Sequence, residues 1–184
     1  MMYWDKPGPS NTSSTVELAL RRAYELELKH IVVASCSGHS AELFLKHADT
    51  FQIVCVTHQV GFSSPGGDEM APSMRKLLSE GGIKLLTTTH LLGGIDRASR
   101  IKFGGVYPAE IVATTLRMFG QGLKVCVEIG CMALDSGLIP YGKEIISIGG
   151  TSEGLDTATV ILPAHSQYFF DTKIKEIICK PREI

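Results

Sequence analysis

No stretch of this sequence approaches the ~20 consecutive apolar residues a helix needs to span a bilayer, and the N-terminus lacks the apolar core of a secretory leader. The expectation is a soluble, cytoplasmic chain with no membrane partner. Excess basic charge is missing too. The formal net charge of −1 gives no field for nucleic acid or an anionic surface, so any anion site has to be local. There is no Gly-Lys-Ser/Thr loop and no G-x-G-x-x-G turn, which removes the two common nucleotide cradles. Nothing assembles into a Ser–His–Asp set or a glycosidase carboxylate pair.

Cysteine is poorly supplied for disulfides or zinc. The five residues (36, 55, 126, 131, 179) are odd in number, and Cys126 and Cys131 have no second pair to complete a metal set. Four of them lie in or beside apolar runs, as buried free thiols of a reducing compartment do. Cys36 stands apart, because a thiol in a helix N-terminal loop can have a depressed pKa; burial as a small side chain is the competing reading.

With 44% hydrophobic and 20% charged residues, the chain has enough apolar material for a full core. It shows no repeat, low-complexity tract or linker, so residues 1–184 are read as one domain.

Met1 to Ser10, with Pro7, Gly8 and Pro9, reads as an irregular lead-in, and Val16 to Leu28 carries a broad helical apolar face. The β-branched run Ile31 to Ala34 then predicts a strand that stops at Ser35-Cys36-Ser37-Gly38, with a helix from about Ala41 to His47. A second strand, Phe51 to Thr57, ends in Thr57-His58-Gln59, and the glycine-rich loop Val60 to Asp68 leads to a helix at about Ala71 to Ser79. A third strand, Ile83 to Thr87, ends in Thr88, Thr89 and His90. Leu91 to Tyr107, with Arg97, Arg100 and Lys102, reads as a glycine-rich cover over the site. Pro108 opens a helix over Ala109 to Phe119.

Leu123 to Ile129 predicts a fourth strand containing Glu128, followed by a short helix around Ala133 to Ile139. A fifth strand, Glu144 to Ile148, is separated from Leu155 to Leu162 by too few residues for a crossover helix, so the return is antiparallel. Ile174 to Cys179 alternates apolar and charged residues, as an edge strand does.

The informative feature is repetition at strand ends. Successive strands finish in hydroxyls, imidazoles and glycines, and the carboxyl ends of parallel strands share the edge where open α/β sheets bind ligands. Ser35, Ser37 and Ser40 supply hydroxyls, Cys36 and His39 lie between them, and Gly38 admits a phosphate close to the backbone. Thr57, His58 and Gln59, with Gly149, Gly150 and Thr151, would contact the rest of a phosphorylated, planar ligand. Taken singly, each has a plainer role: Ser37 or Ser40 as an N-cap, His58 and His90 as strand-end hydrogen-bonding groups, Glu128 as the partner of a cation or a helix cap, and Asp156 and Thr157 as turn residues.

The run Ala34-Ser35-Cys36-Ser37-Gly38 with Val56-Thr57-His58, and the turn Gly149 to Ala158, resemble the carboxyl-terminal α/β domain of pyruvate kinase. The whole chain is most similar to stand-alone prokaryotic, chiefly archaeal, members of that group. The segment Lys102 to Val106, the run Val125 to Ile129 and the tail Phe170-Asp171 share in that similarity. The resemblance implies a three-layer α/β/α sandwich with a mixed, mostly parallel sheet. It also implies flavin mononucleotide (FMN) as cofactor, with the phosphate at Ser35, Ser37, Gly38, His39 and Ser40. The catalytic barrel of pyruvate kinase alone takes about 250 residues, so pyruvate kinase activity is not expected. A colourless sensor of phosphorylated metabolites is the alternative, a hydrolase or isomerase using His58, His90 or Glu128 a third reading, and a homo-oligomer is admitted without being required.

Overall fold

The computed structural model describes residues 1–183. Its seven strands are β1 (Met2–Trp4), β2 (His30–Ala34), β3 (Gln52–Val56), β4 (Lys84–Leu86), β5 (Ile145–Gly149), β6 (Thr157–Leu162) and β7 (Lys173–Pro181), forming one sheet in the order β1-β7-β6-β5-β2-β3-β4. β5, β2, β3 and β4 are parallel neighbours, β6 runs antiparallel to both β5 and β7, and β1 lies parallel to β7. The short Gly149 to Asp156 connection does make the antiparallel return its length requires.

The central strands bury both faces, which is why they are β-branched without interruption. Ile31, Val33, Ile53, Cys55, Ile146 and Ile148 point into one core, which the helix α1 (Thr12–Glu25) and the short helix α2 (His39–Glu42) share with α3 (Pro72–Glu80). Val32, Val54, Val56, Ile145 and Ile161 point into the other, beneath α6 (Gln121–Asp135). The helix α4 (Gly94–Phe103) and α5 (Pro108–Arg117) lie on the α6 side, outside it. This is a three-layer α/β/α sandwich with a mixed, mostly parallel sheet.

Two expectations are overturned, and a third segment holds a helix its glycines concealed. Leu123 to Ile129 is no strand but the middle of α6, in which every residue from Gly122 to Leu134 except Val125 is buried. A helix enclosed on all sides loses the polar stripe that would betray its period, and a short apolar run then looks like a strand. The lead-in contains β1, whose pairing with Cys179 to Pro181 turns β7 from an edge into an inner strand. The glycine-rich cover contains α4. Glycine at α4's first position and at both flanking positions masks its helical spacing.

Candidate functional site

The strand ends do converge. The Ser35 N–H donates to the Val56 carbonyl at 3.0 Å and the Thr57 N–H to that of Leu86 at 2.9 Å, so the sheet ladder extends past β2 and β3 into the loops above them. Thr57 and Thr87 hydroxyls lie 2.7 Å apart. Arg75 of α3 donates to Thr87 Oγ1 and grips Asp68 through Nε at 2.7 Å and Nη2 at 3.0 Å. That guanidinium, with the Met70 N–H, holds the Asp68 carboxyl below its ordinary pKa. The Val60 to Asp68 loop is thereby anchored at its far end.

At its near end lies an aromatic stack. The His58 ring packs on Phe62 with centroids 3.9 Å apart, Arg97 of α4 stands 5.3 Å from the Phe62 centroid, and His90 is 5.2 Å from His58. His58 Nδ1 donates to Glu69 Oε2 at 2.6 Å, which fixes the ring's orientation. His90 Nε2 faces the Thr57 carbonyl at 3.4 Å, and burial pushes this imidazole below its usual value against the pull of nearby Glu128. Glu128 is buried in α6 beside Lys124, its ion-pair partner one helical turn away, and accepts the Leu92 N–H at 2.7 Å. The plain reading of Glu128 as the partner of a cation therefore holds, and the pair pins the segment after His90 to the helix.

In the β2–α2 loop, Gly38 has φ +94°, a conformation costly for any residue with a Cβ. Its missing Cβ, however, faces α3: an added methyl would overlap Met74 and crowd Leu78. Glycine here is demanded by the turn and by helix packing, not by room for a phosphate. Ser37 and His39 are exposed, 3.2 Å apart (Oγ to Nδ1), and their N–H groups and that of Gly38 find no acceptor among the described residues. A depression of about 340 Å³ opens beside them, lined by Ser37, His39, Glu69, Ser73 and Met74 among others. Cys36 is half-buried, and burial pushes its thiol up, not down, so the depressed pKa expected of a helix N-terminal loop is not found. All five cysteines are free thiols.

Gly149, Gly150 and Thr151 stand at the end of β5, on the side of β2 away from His58. Their packing is internal. The buried Asp156 carboxylate receives the N–H groups of Thr151 and Gly8, each at 3.1 Å, and the Thr157 hydroxyl at 2.8 Å, and a Cβ on Gly150 would run into the Gly154 carbonyl. The structure thus brings residues 35–40, 57–59 and 87–90 together and sets 149–151 to one flank. Sequence reasoning did not single out Phe62 and Glu69 as site residues, and it gave Arg97 no contact; Phe62 sits inside the loop it did flag. The Lys124/Glu128 pair is an i, i+4 signal, visible only once the segment is known to be a helix.

Residues 13–161 match the family described as pyruvate kinase, alpha/beta domain. The chain belongs to that family. The match runs from α1 to β6 and so takes in all the strand ends described above, together with the α6 pair beneath them. Among the described residues, no helix is long and apolar enough to cross a membrane, and no group of His, Cys, Asp and Glu side chains is placed to hold a metal ion.

Proposed function

We propose that this pyruvate kinase alpha/beta domain protein binds FMN at the carboxyl edge of β2, β3 and β4. The observation that carries the reading is the meeting of two unlike surfaces: a left-handed serine loop with N–H groups lacking acceptors, and a flat imidazole–phenyl stack at the next strand ends. The first suits a phosphate and the second a planar ring. Ser35, Ser37, Gly38, His39 and Ser40 would hold the phosphate, with Cys36 in the same loop. Thr57, His58 and Gln59 would meet the ring-bearing half, and Gly149, Gly150 and Thr151 border the site along β5. Glu69 lines the same depression and accepts the His58 Nδ1–H at 2.6 Å.

When bound, the flavin would supply hydride or electron transfer. The chain's own residues would bind and orient: the loop N–H groups and hydroxyls would fix the phosphate, His58 is held in one orientation by Glu69, and Phe62, with Arg97 over it, packs on the His58 ring. The free thiols fit a reducing compartment, and we place the protein in the cytoplasm.

The test is an absorbance spectrum of freshly purified protein, with mass spectrometry of what denaturation releases. Stoichiometric FMN is the expected result. The Ser37→Asp variant, which sets a carboxylate at the phosphate position, should weaken FMN at least about tenfold, on the order of 1.4 kcal/mol. The Gly38→Val variant is no substitute, since it overlaps Met74 whatever the ligand. A protein that releases no flavin and binds none on titration overturns the redox reading. Thermal stabilisation by sugar phosphates would then favour a phosphometabolite sensor.

A further inference from the structure

From Gly94 through Val112 no residue is buried. The whole of α4 lies within this stretch, and its apolar residues Ile95, Ile101 and Phe103 are between 74% and 80% exposed. What holds the helix in place is polar. Asp96 accepts the Ala109 N–H at 2.8 Å and Arg100 pairs with Glu110, which ties α4 to the first turn of α5. Toward the strand ends, Arg97 stands 5.3 Å from the Phe62 centroid, and among the described residues no other hydrogen bond, ion pair or ring contact joins an α4 side chain to the loops of the candidate site. Exposed contacts of these kinds are exchanged for water at little cost, so the helix belongs to the least stable part of the fold.

Both ends of the helix are glycine pairs. Gly93 and Gly94 (φ +53°) open α4, and Gly104 (φ +72°) and Gly105 (φ +86°) follow it. Just before the first pair the chain is fixed, because Leu92 is buried and its N–H is held by Glu128. A fixed anchor, a permissive pair, a helix with no buried residue and a second permissive pair make a hinged element. Arg97 gives the hinge a direction. Its guanidinium lies between the Phe62 ring and the His90 to Gly93 turn, where a Cβ on Gly93 would stand 3.5 Å from both Arg97 Nη2 and the His90 carbonyl oxygen. Among the described residues it has no carboxylate partner and no hydrogen-bond acceptor, so its five N–H donors are left with a ring face alone. An anion at the strand ends supplies the acceptor that the closed helix lacks, and thereby favours the closed position over the open one.

We propose that α4 is a lid at the mouth of the candidate site, hinged at Gly93-Gly94 and Gly104-Gly105, open part of the time in the free protein and drawn shut through Arg97 by an anionic ligand. The lid rests on the reading of the strand ends as a ligand site, but not on FMN as the occupant.

Hydrogen exchange of the full chain, followed by mass spectrometry, tests it. In the free protein the α4 amides should be protected less than about 100-fold, against more than about 1,000-fold in β2 and β5. Saturating FMN should slow α4 exchange about fivefold or more. Arg97→Met keeps the stem and loses the charge; it should remove most of that slowing while exchange in β2 and α6 stays as in the wild type, and Arg97→Lys should retain part of it. Free α4 amides as well protected as those of β2 overturn the lid. So does FMN that binds and leaves α4 exchange unchanged, or slows it equally in Arg97→Met, and neither result touches the FMN reading. If no FMN binds, that reading fails by itself and inorganic phosphate in excess becomes the probe: slowing that depends on Arg97 supports the lid, and α4 exchange unmoved by phosphate overturns it.

Discussion

Replacing Lys124 by methionine should be among the most damaging single changes available outside the apolar core. Lys124 and Glu128 are both under a tenth exposed, and the carboxylate of Glu128 has two partners, the Lys124 ammonium at Oε2 and the Leu92 N–H at Oε1. Lys124→Met keeps the length and apolar stem of the side chain but strands a buried carboxylate on a single N–H. Breaking one side of such a pair typically costs about 3–5 kcal/mol. Against a total stability of roughly 5–15 kcal/mol, that is a large fraction. At about 2–4 °C per kcal/mol for a chain of this size, the melting temperature should fall by on the order of 10 °C. The informative companion is Lys124→Met with Glu128→Gln, which removes both charges while leaving an amide oxygen for Leu92. It should recover to within about 1–2 kcal/mol of wild type, so that the cycle shows strong coupling. Urea denaturation followed by far-UV circular dichroism measures all three variants. A loss under about 1 kcal/mol for Lys124→Met, or a double variant as unstable as the sum of its parts, would refute the reasoning and imply that water reaches the carboxylate.

Asp156→Ala orphans the N–H groups of Gly8 and Thr151 and the Thr157 hydroxyl, and should cost about 3 kcal/mol. Trp4, the single tryptophan, donates its Nε1–H to the Asp156 backbone carbonyl at 2.8 Å, a bond the substitution keeps, so its fluorescence reports whether the backbone there moves; urea denaturation measures the loss, and unchanged stability would exclude this role. Burial holds the His90 imidazole below its unfolded value of about 6.5, so the unfolded chain binds more protons as pH falls through that value, and stability drops on acidification. His90→Gln should flatten part of that slope below about pH 6.5, leaving the share due to His30 and His47, which burial lowers in the same way. Gly130→Ala should cost about 1–3 kcal/mol, because the new methyl overlaps the end of Ile161, and Ile161→Val should restore much of it; a neutral Gly130→Ala would mean that the α6–sheet contact is loose.

The strands and the edge at which their ends collect were legible in the sequence. Ile31 to Ala34, Phe51 to Thr57 and Glu144 to Ile148 are β-branched runs that end in serine, threonine, histidine or glycine, and that combination has few structural solutions. The antiparallel return after Gly149 followed from loop length alone. α6 escaped because its burial on all sides erased the polar stripe that marks a helix, and β1 escaped because three residues carry no period at all.

What the sequence by itself determined is therefore the local chemistry: which segments are apolar enough to be buried, where they must stop, and which polar groups stand at the stops. The tertiary structure alone decided which of those groups meet. His58 finds Glu69, Phe62 and His90, while Thr151 turns to Asp156, since hydrogen bonds and ring contacts depend on strand order and loop path, not on distance along the chain. It also decided the meaning of Gly38 and of α4. A missing Cβ can serve a ligand or a neighbouring helix, and a helix can bury its apolar residues or leave them in water. Only the position of Met74 in the first case, and of Phe62 beneath Arg97 in the second, distinguishes them.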